Sequence, residues 1–187
     1  MDTIEHQMPH FETLAIECVG GVAGDMLLGA FLGAGANRQA IDEAFATLET
    51  PALSLKVLSV EVGNEPALWV QSIPEGNSLA ASSSHGVSMN QVFETLDQLR
   101  MSPKARDYAK AIFTILGNAE SKAHQVHFDS VHLHEVGELD SILDVAGVAI
   151  AYESLGSPRL KCSVLPSGKG TVQTSHGPLE CPVPAVV

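Results

Sequence analysis

A mixed α/β domain, several helices packed on a small mixed sheet, is what this sequence predicts, and three observations point to it. Short apolar runs with strand-like alternation, near Leu14–Val19, Leu53–Val62 and Leu68–Ile73, are interleaved with stretches whose apolar residues recur at helical spacing. Hydrophobic residues fill 45% of the 187 positions, enough for a packed core and too many for a disordered chain. The length suits one domain with a true core, or one domain plus an appendage, and no internal repeat divides it. Residues 1–187 are therefore expected to form one domain, with a single linker-like loop at about 74–87.

Leu14–Val19 reads as a strand broken by Gly20-Gly21, and Gly24 to Leu32 as an apolar helix closed by Gly33 and Gly35. Asn37 is placed to cap a second helix, whose Ile41, Ala44, Phe45 and Leu48 follow the i, i+3, i+4, i+7 stripe. Leu53, Leu55 and Val57 alternate in one phase, Val60 and Val62 in the other. That change predicts a strand with a bulge or break near Leu58. Turn-like residues 63–66 lead to a partner strand. Pro74–Val87 holds Gly76-Asn77 and three consecutive serines, a linker composition.

Ser88 with Gln91 makes a capping box for a helix to about Leu99, and Ser102-Pro103 supplies the N-cap and first residue of the next. In that long helix Ala105, Tyr108, Ile112, Phe113, Leu116 and Ala119 form the expected buried stripe. Another helix spans about Ser141 to Leu155 and stops at Gly156-Ser157-Pro158. From Arg159 the chain is strand and loop, rich in glycine and proline. The uncharged Pro182–Val187 reads as an element cut in the middle, which argues for a partner domain or a homo-oligomer.

Twenty-two acidic residues against ten basic give a formal net charge of −12, which argues against nucleic acid or anionic membrane as partners and suits cations. No run approaches the roughly 18–20 apolar residues of a bilayer span, and the polar, acidic Met1–His10 does not read as a secretion signal. Cys18, Cys162 and Cys181 are odd in number and form no C-x-x-C. They are expected to be reduced thiols in a cytoplasmic protein, each acting as a small buried hydrophobe. Cys181, five residues after His176, is also a weak metal-ligand candidate.

Chemistry concentrates between residues 124 and 144, where His124, His127, His132 and His134 are followed by Glu135, Glu138, Asp140 and Asp144. Imidazoles mixed with carboxylates suit a borderline divalent ion such as nickel, zinc, cobalt or manganese. In an extended stretch His132 and His134 share a face, and on a helix Asp140 and Asp144 do the same. Two pairs can thus converge on one ion. Taken singly, these residues have plainer uses: Asp140 as a helix N-cap, Asp144 beside a helix dipole, His124 and His127 near a helix end. Surface solvation does not require the whole set.

Gly20-Gly-Val-Ala-Gly24-Asp25, between strand and helix, offers backbone N–H groups to a phosphate carried with a metal. It fits neither a dinucleotide fingerprint nor a P-loop, and close packing of a tight turn is its plainer use. Lys169, between Gly168 and Gly170, is one of few cations and could meet an anionic ligand. No G-x-S-x-G elbow supports a serine hydrolase.

Three segments together resemble the N-terminal part of the LarC-type nickel-insertion proteins. Gly20-Gly21-Val22-Ala23-Gly24-Asp25-Met26 matches that family's first motif. His132-Leu133-His134-Glu135-Val136-Gly137, with Asp140-Ser141-Ile142 and Asp144, nearly reproduces the second. Pro166, Gly168, Gly170, His176-Gly177 and Pro182-Val183-Pro184-Ala185 fill the third in order. The chain departs from the family pattern at Glu17 and Gly20 around the first motif, where aspartate and serine are usual, and at Glu180 in the third, where proline is usual.

The resemblance implies a chelatase of the lyase class that inserts Ni2+ into a pyridinium-3,5-bisthiocarboxylic acid mononucleotide during nickel-pincer cofactor biosynthesis. It further implies dependence on CTP with Mn2+ or Mg2+, through a C-terminal domain to which nothing here corresponds. On this reading His132, His134, Glu135, Asp140, Asp144 and His176 form or flank the metal site. Gly20, Gly21, Gly24, Asp25, Lys169 and Gly170 approach the nucleotide. No catalytic residue is identified. Two alternatives stay open: a metal-binding or assembly module without turnover, and a metal-dependent phosphohydrolase, which would need carboxylates bridging two ions.

Overall fold

The computed structural model describes residues 11–48, 53–74, 86–133, 138–174, 177–183 and 186. It has a mixed α/β fold. Strand β1 (Thr13–Ile16) precedes helices α1 (Gly24–Gly33) and α2 (Arg38–Phe45), then the hairpin β2 (Leu53–Val62) and β3 (Glu65–Pro74). Strand β4 (Val87–Ser88) opens α3 (Met89–Gln98), followed by α4 (Pro103–His124), β5 (His132–Leu133) and α5 (Leu139–Ser154). The chain then forms β6 (Arg159–Cys162), β7 (Thr171–Thr174) and β8 (Gly177–Glu180).

The described strands form four two-stranded ladders rather than one sheet: β1–β6 parallel, with β2–β3, β4–β5 and β7–β8 antiparallel. β1 stops at Ile16, short of the expected Val19. β2 and β3 pair one to one from Leu53↔Pro74 to Val62↔Glu65, so the expected bulge near Leu58 is absent. The phase change has another cause. Leu55 and Val70 are buried near the base, while Leu58, Val60 and Val62 lie exposed towards the tip, where neither face has a core to select one phase. Gly63 and Asn64, both at positive φ (59° and 69°), make the two-residue turn that matches strand twist.

The helix starts follow their capping chemistry. Asn37 Oδ1 accepts the Ala40 N–H at 3.2 Å, and Ser88 and Gln91 complete their capping box. Ser102 Oγ accepts the Ala105 N–H, with Pro103 at the first helical position. Arg106 donates to the carbonyls of Leu96, Asp97 and Leu99, fastening the end of α3 to the start of α4. The buried stripe of α4 runs through Ala105, Ala109, Phe113 and Gly117, not through Ile112, which is 41% exposed. A spacing of four residues follows the small side chains that let α4 lie close to its neighbours. Met89 and Phe128 occupy the space beside Gly117, where an added Cβ would come within 2.7 Å of Phe128.

Helix α5 is the centre of the core. Ile142, Leu143, Ala146 and Val148–Ala151 are all buried, packed by α1, α2, α3 and α4. Gly147 has the Leu28 side chain where its Cβ would be, at 2.9 Å, so α1 and α5 approach closely. That approach carries the start of α1 to the start of α5. The described helices include none long and apolar enough to cross a membrane.

Candidate functional site

The glycine motif and the acidic motif meet where α1 and α5 begin. Gly20 and Gly21 hold φ of 84° and 122°, the left-handed region that other residues enter at a cost. A Cβ at either would meet nothing within 4 Å, so the turn leaves open space beside it. Gly24 is different. A Cβ there would sit 2.8 Å from Cβ of Asp144 and 3.3 Å from its Oδ2, so only glycine lets the first turn of α1 rest on that side chain.

The half-buried Asp144 carboxylate accepts the backbone N–H of Asp25. Desolvation first, then the charges of Asp25 and Asp140, push the Asp144 carboxyl up from 3.8 to about 6. The N–H of Asp25 opposes this rise without cancelling it. Asp25 lies in the first turn of α1 and Asp140 in that of α5, where a helix dipole favours negative charge. Three carboxylates of like charge, one of them partly withdrawn from water, make a point where added positive charge is stabilised.

Asp140 is exposed in the first turn of α5, and its Oδ1 accepts the Ser141 N–H at 2.7 Å. It is not the N-cap. Glu138 takes that position, without a side-chain capping bond, so the plain use proposed for Asp140 fails. His132 is exposed in β5 opposite Ser88, and Leu133 beside it is buried, the alternation of a half-buried strand. His134, Glu135 and His176 lie outside the described residues. Among the described residues, no group of three His, Cys, Asp or Glu side chains could hold a metal ion.

His124 and His127 have local partners, Glu120 and Asp129, each at 3.3 Å. Lys169 and Gly170 are exposed in the loop before β7. Positive φ at Gly168 and Gly170 (75° and 100°) shapes that loop, and the Gly170 carbonyl accepts from the Cys181 N–H at 2.8 Å. No described contact joins Lys169 to Asp25 or Asp144.

The cysteines depart from expectation. Cys18 is buried, but Cys162 is exposed and Cys181 intermediate. Cys18 and Cys162, remote in sequence, place their sulfurs 3.4 Å apart. The signal for this was the parallel pairing of β1 with β6, which sets Ile16 against Cys162 and which no local pattern in the sequence reveals.

The nickel insertion protein family model matches residues 14–187. A pyridinium-3,5-bisthiocarboxylic acid mononucleotide nickel insertion protein of Staphylococcus epidermidis is 35% identical over 175 residues, covering 93% of this chain and 42% of the relative. A protein of the same name from Alkaliphilus metalliredigens is 30% identical over 185 residues, covering 92% of this chain and 44% of the relative. The chain thus spans less than half the length of these relatives. No solved structure matches it significantly.

Proposed function

The chain belongs to the nickel insertion protein family, and from that premise we propose that it takes part in loading nickel into a pyridinium-3,5-bisthiocarboxylic acid mononucleotide. The observation that carries the reading is the meeting of Gly24 and Asp25 with Asp144, which joins two separate sequence motifs at one point. Nickel is the substrate here. Asp144, Asp140 and Asp25 supply the negative field, and His132, His134, Glu135 and His176 supply further donors. An incomplete shell suits an ion that must be handed on, since a closed shell of protein ligands would retain it. The open space at the Gly20–Gly21 turn would admit the mononucleotide's phosphate beside the start of α1, with the Gly20 and Gly24 N–H groups as donors, since those of Gly21, Asp25 and Met26 already bond to the Cys18 carbonyl, Asp144 and Asp25 Oδ1. Lys169 and Gly170 would serve the nucleotide from the β7 side. Turnover would draw on CTP with Mn2+ or Mg2+ outside the stretch shared with the relatives, in a cytoplasmic protein acting with a partner domain or as a homo-oligomer.

Isothermal titration of Ni2+ into the purified chain, with and without the mononucleotide precursor, tests the proposal. Binding should tighten with the precursor present, and should weaken as pH falls through roughly 6.5, because protonated imidazoles do not bind metal. Asp144 titrates in the same range, so the experiment is repeated on Asp144→Asn. That variant should bind more weakly at pH 8 yet still lose affinity on acidification. Absence of nickel binding under both conditions would overturn the proposal. Residual binding by Asp144→Asn that stays flat from pH 8 to pH 5 would remove the histidines from the ligand set.

A further inference from the structure

Cys18 and Cys162 form a spatial dithiol that the nickel reading does not use. Their sulfurs are 3.4 Å apart, and the backbone holding them is pinned on both sides. The Cys18 N–H donates to Ser163 Oγ at 2.9 Å, and the Ser163 N–H to the Ile16 carbonyl at 3.0 Å. The two thiols therefore face each other through strand pairing rather than by a chance meeting of loose side chains. Their exposures differ in a useful way: Cys162 is open to solvent, whereas Cys18 is only 4% exposed. A disulfide requires the sulfurs to close to about 2.05 Å. The segment after Cys18 can follow that movement, because Gly20 and Gly21 have open space where side chains would be.

We propose that Cys18 and Cys162 are a thiol–disulfide exchange site, in which Cys162 meets a small-molecule disulfide and Cys18 resolves the adduct. The Cys162 thiolate attacks one sulfur of the disulfide, forming a mixed disulfide and releasing one thiolate. Cys18, deprotonated in turn, attacks the Cys162 sulfur and expels the second. The protein loses two electrons and two protons, and the small-molecule disulfide gains both as two thiols. Hydrogen bonding with Cys18 and desolvation hold the Cys162 thiol above its ordinary range, so the first step accelerates as the medium becomes alkaline. Closure would tie the turn leading to Gly24 onto the end of β6, and so restrain the approach to Asp144.

The test treats the folded chain with oxidised glutathione in a Cys181→Ser background, so that no third thiol competes. Intact mass and peptide mapping should show loss of two hydrogens and a Cys18–Cys162 linked peptide, reversed by dithiothreitol. Adding Cys18→Ser should instead trap one glutathione on Cys162, and adding Cys162→Ser should leave Cys18 unmodified. Amide exchange at residues 18–24 should slow in the oxidised protein. The inference is overturned if the protein with both thiols stops at the glutathione adduct, or if Cys162 remains free while an unstructured cysteine peptide in the same tube is modified. None of these readings depends on nickel binding, so the two proposals fail separately.

Discussion

Asp144 shows most clearly how position changes the meaning of a residue. As sequence it is an aspartate one turn into a helix, where the dipole favours negative charge. In the fold, burial and two neighbouring carboxylates outweigh the Asp25 N–H that it accepts, and its carboxyl rises to about 6. A folded-state pKa above the unfolded value means the native protein holds that proton more tightly. The ionised carboxylate is thus a destabilising element, its cost absent below the ordinary 3.8 and fully present above about 6. Asp144→Asn keeps an oxygen to accept the Asp25 N–H and removes the charge. In the metal-free protein it should raise the melting temperature at pH 8, and the gain should shrink as pH falls from 6 to 4. An unchanged or lowered melting temperature at pH 8 would show that the carboxylate is not under repulsion. The i, i+4 spacing of Asp140 and Asp144 was legible in the sequence. The rest of Asp144's environment was not, because Asp25 and Gly24 reach it only through the packing of α1 on α5.

At the scale of elements, local rules located most helices while close approaches escaped them. Asn37, Ser88 and Ser102 marked their helix starts because capping is a short-range hydrogen bond between residues three apart. The pairing of β1 with β6 and the smooth register of β2 with β3 depend on residues far apart or on solvent, and neither leaves a periodic trace. Gly29 illustrates the hidden kind of constraint. It lies in the middle of α1, where alanine would ordinarily improve the helix by roughly 1 kcal/mol. Here α1 crosses β3 so closely that a Cβ would stand 2.6 Å from the Leu68 carbonyl oxygen, a backbone atom with little freedom to move. Gly29→Ala should therefore destabilise, by about 1–3 kcal/mol as for other overpacked sites. Urea unfolding decides between them, since a stabilised variant would mean that α1 can lift off the hairpin without loss.

Across the whole molecule, α5 is both the centre of the core and the arm that presents the acidic motif. Its interior residues, Leu143 and Ala146 among them, are fully buried, while Asp140 at its start faces water and Asp144 stands between. The mixed α/β class could be read from alternating periodicities and agrees with the fold, whereas the metal suggested by the His and Asp pattern is carried by residue chemistry alone, with no metal-holding group among the described residues. Sequence spacing could not supply the convergence of Gly24, Asp25 and Asp144, and the spatial placement of His134, Glu135 and His176 falls outside the described residues. Adjacent positions on α5 should nonetheless separate support from chemistry. Leu143→Ala removes a side chain with no exposure, and should cost about 2–5 kcal/mol through lost burial and a residual cavity. Because one continuous core is involved, circular dichroism of the helices and the fluorescence of Trp69 in the hairpin should both shift to lower urea together. Asp144→Ala removes a charge held against its preference, so it should leave the unfolding midpoint at pH 8 unchanged or raised while weakening nickel binding at least tenfold. The reverse pattern, an unfolded Asp144→Ala protein or a Leu143→Ala protein that loses nickel without losing stability, would place the structural burden on the acidic cluster and remove the basis for a metal site at the start of α5.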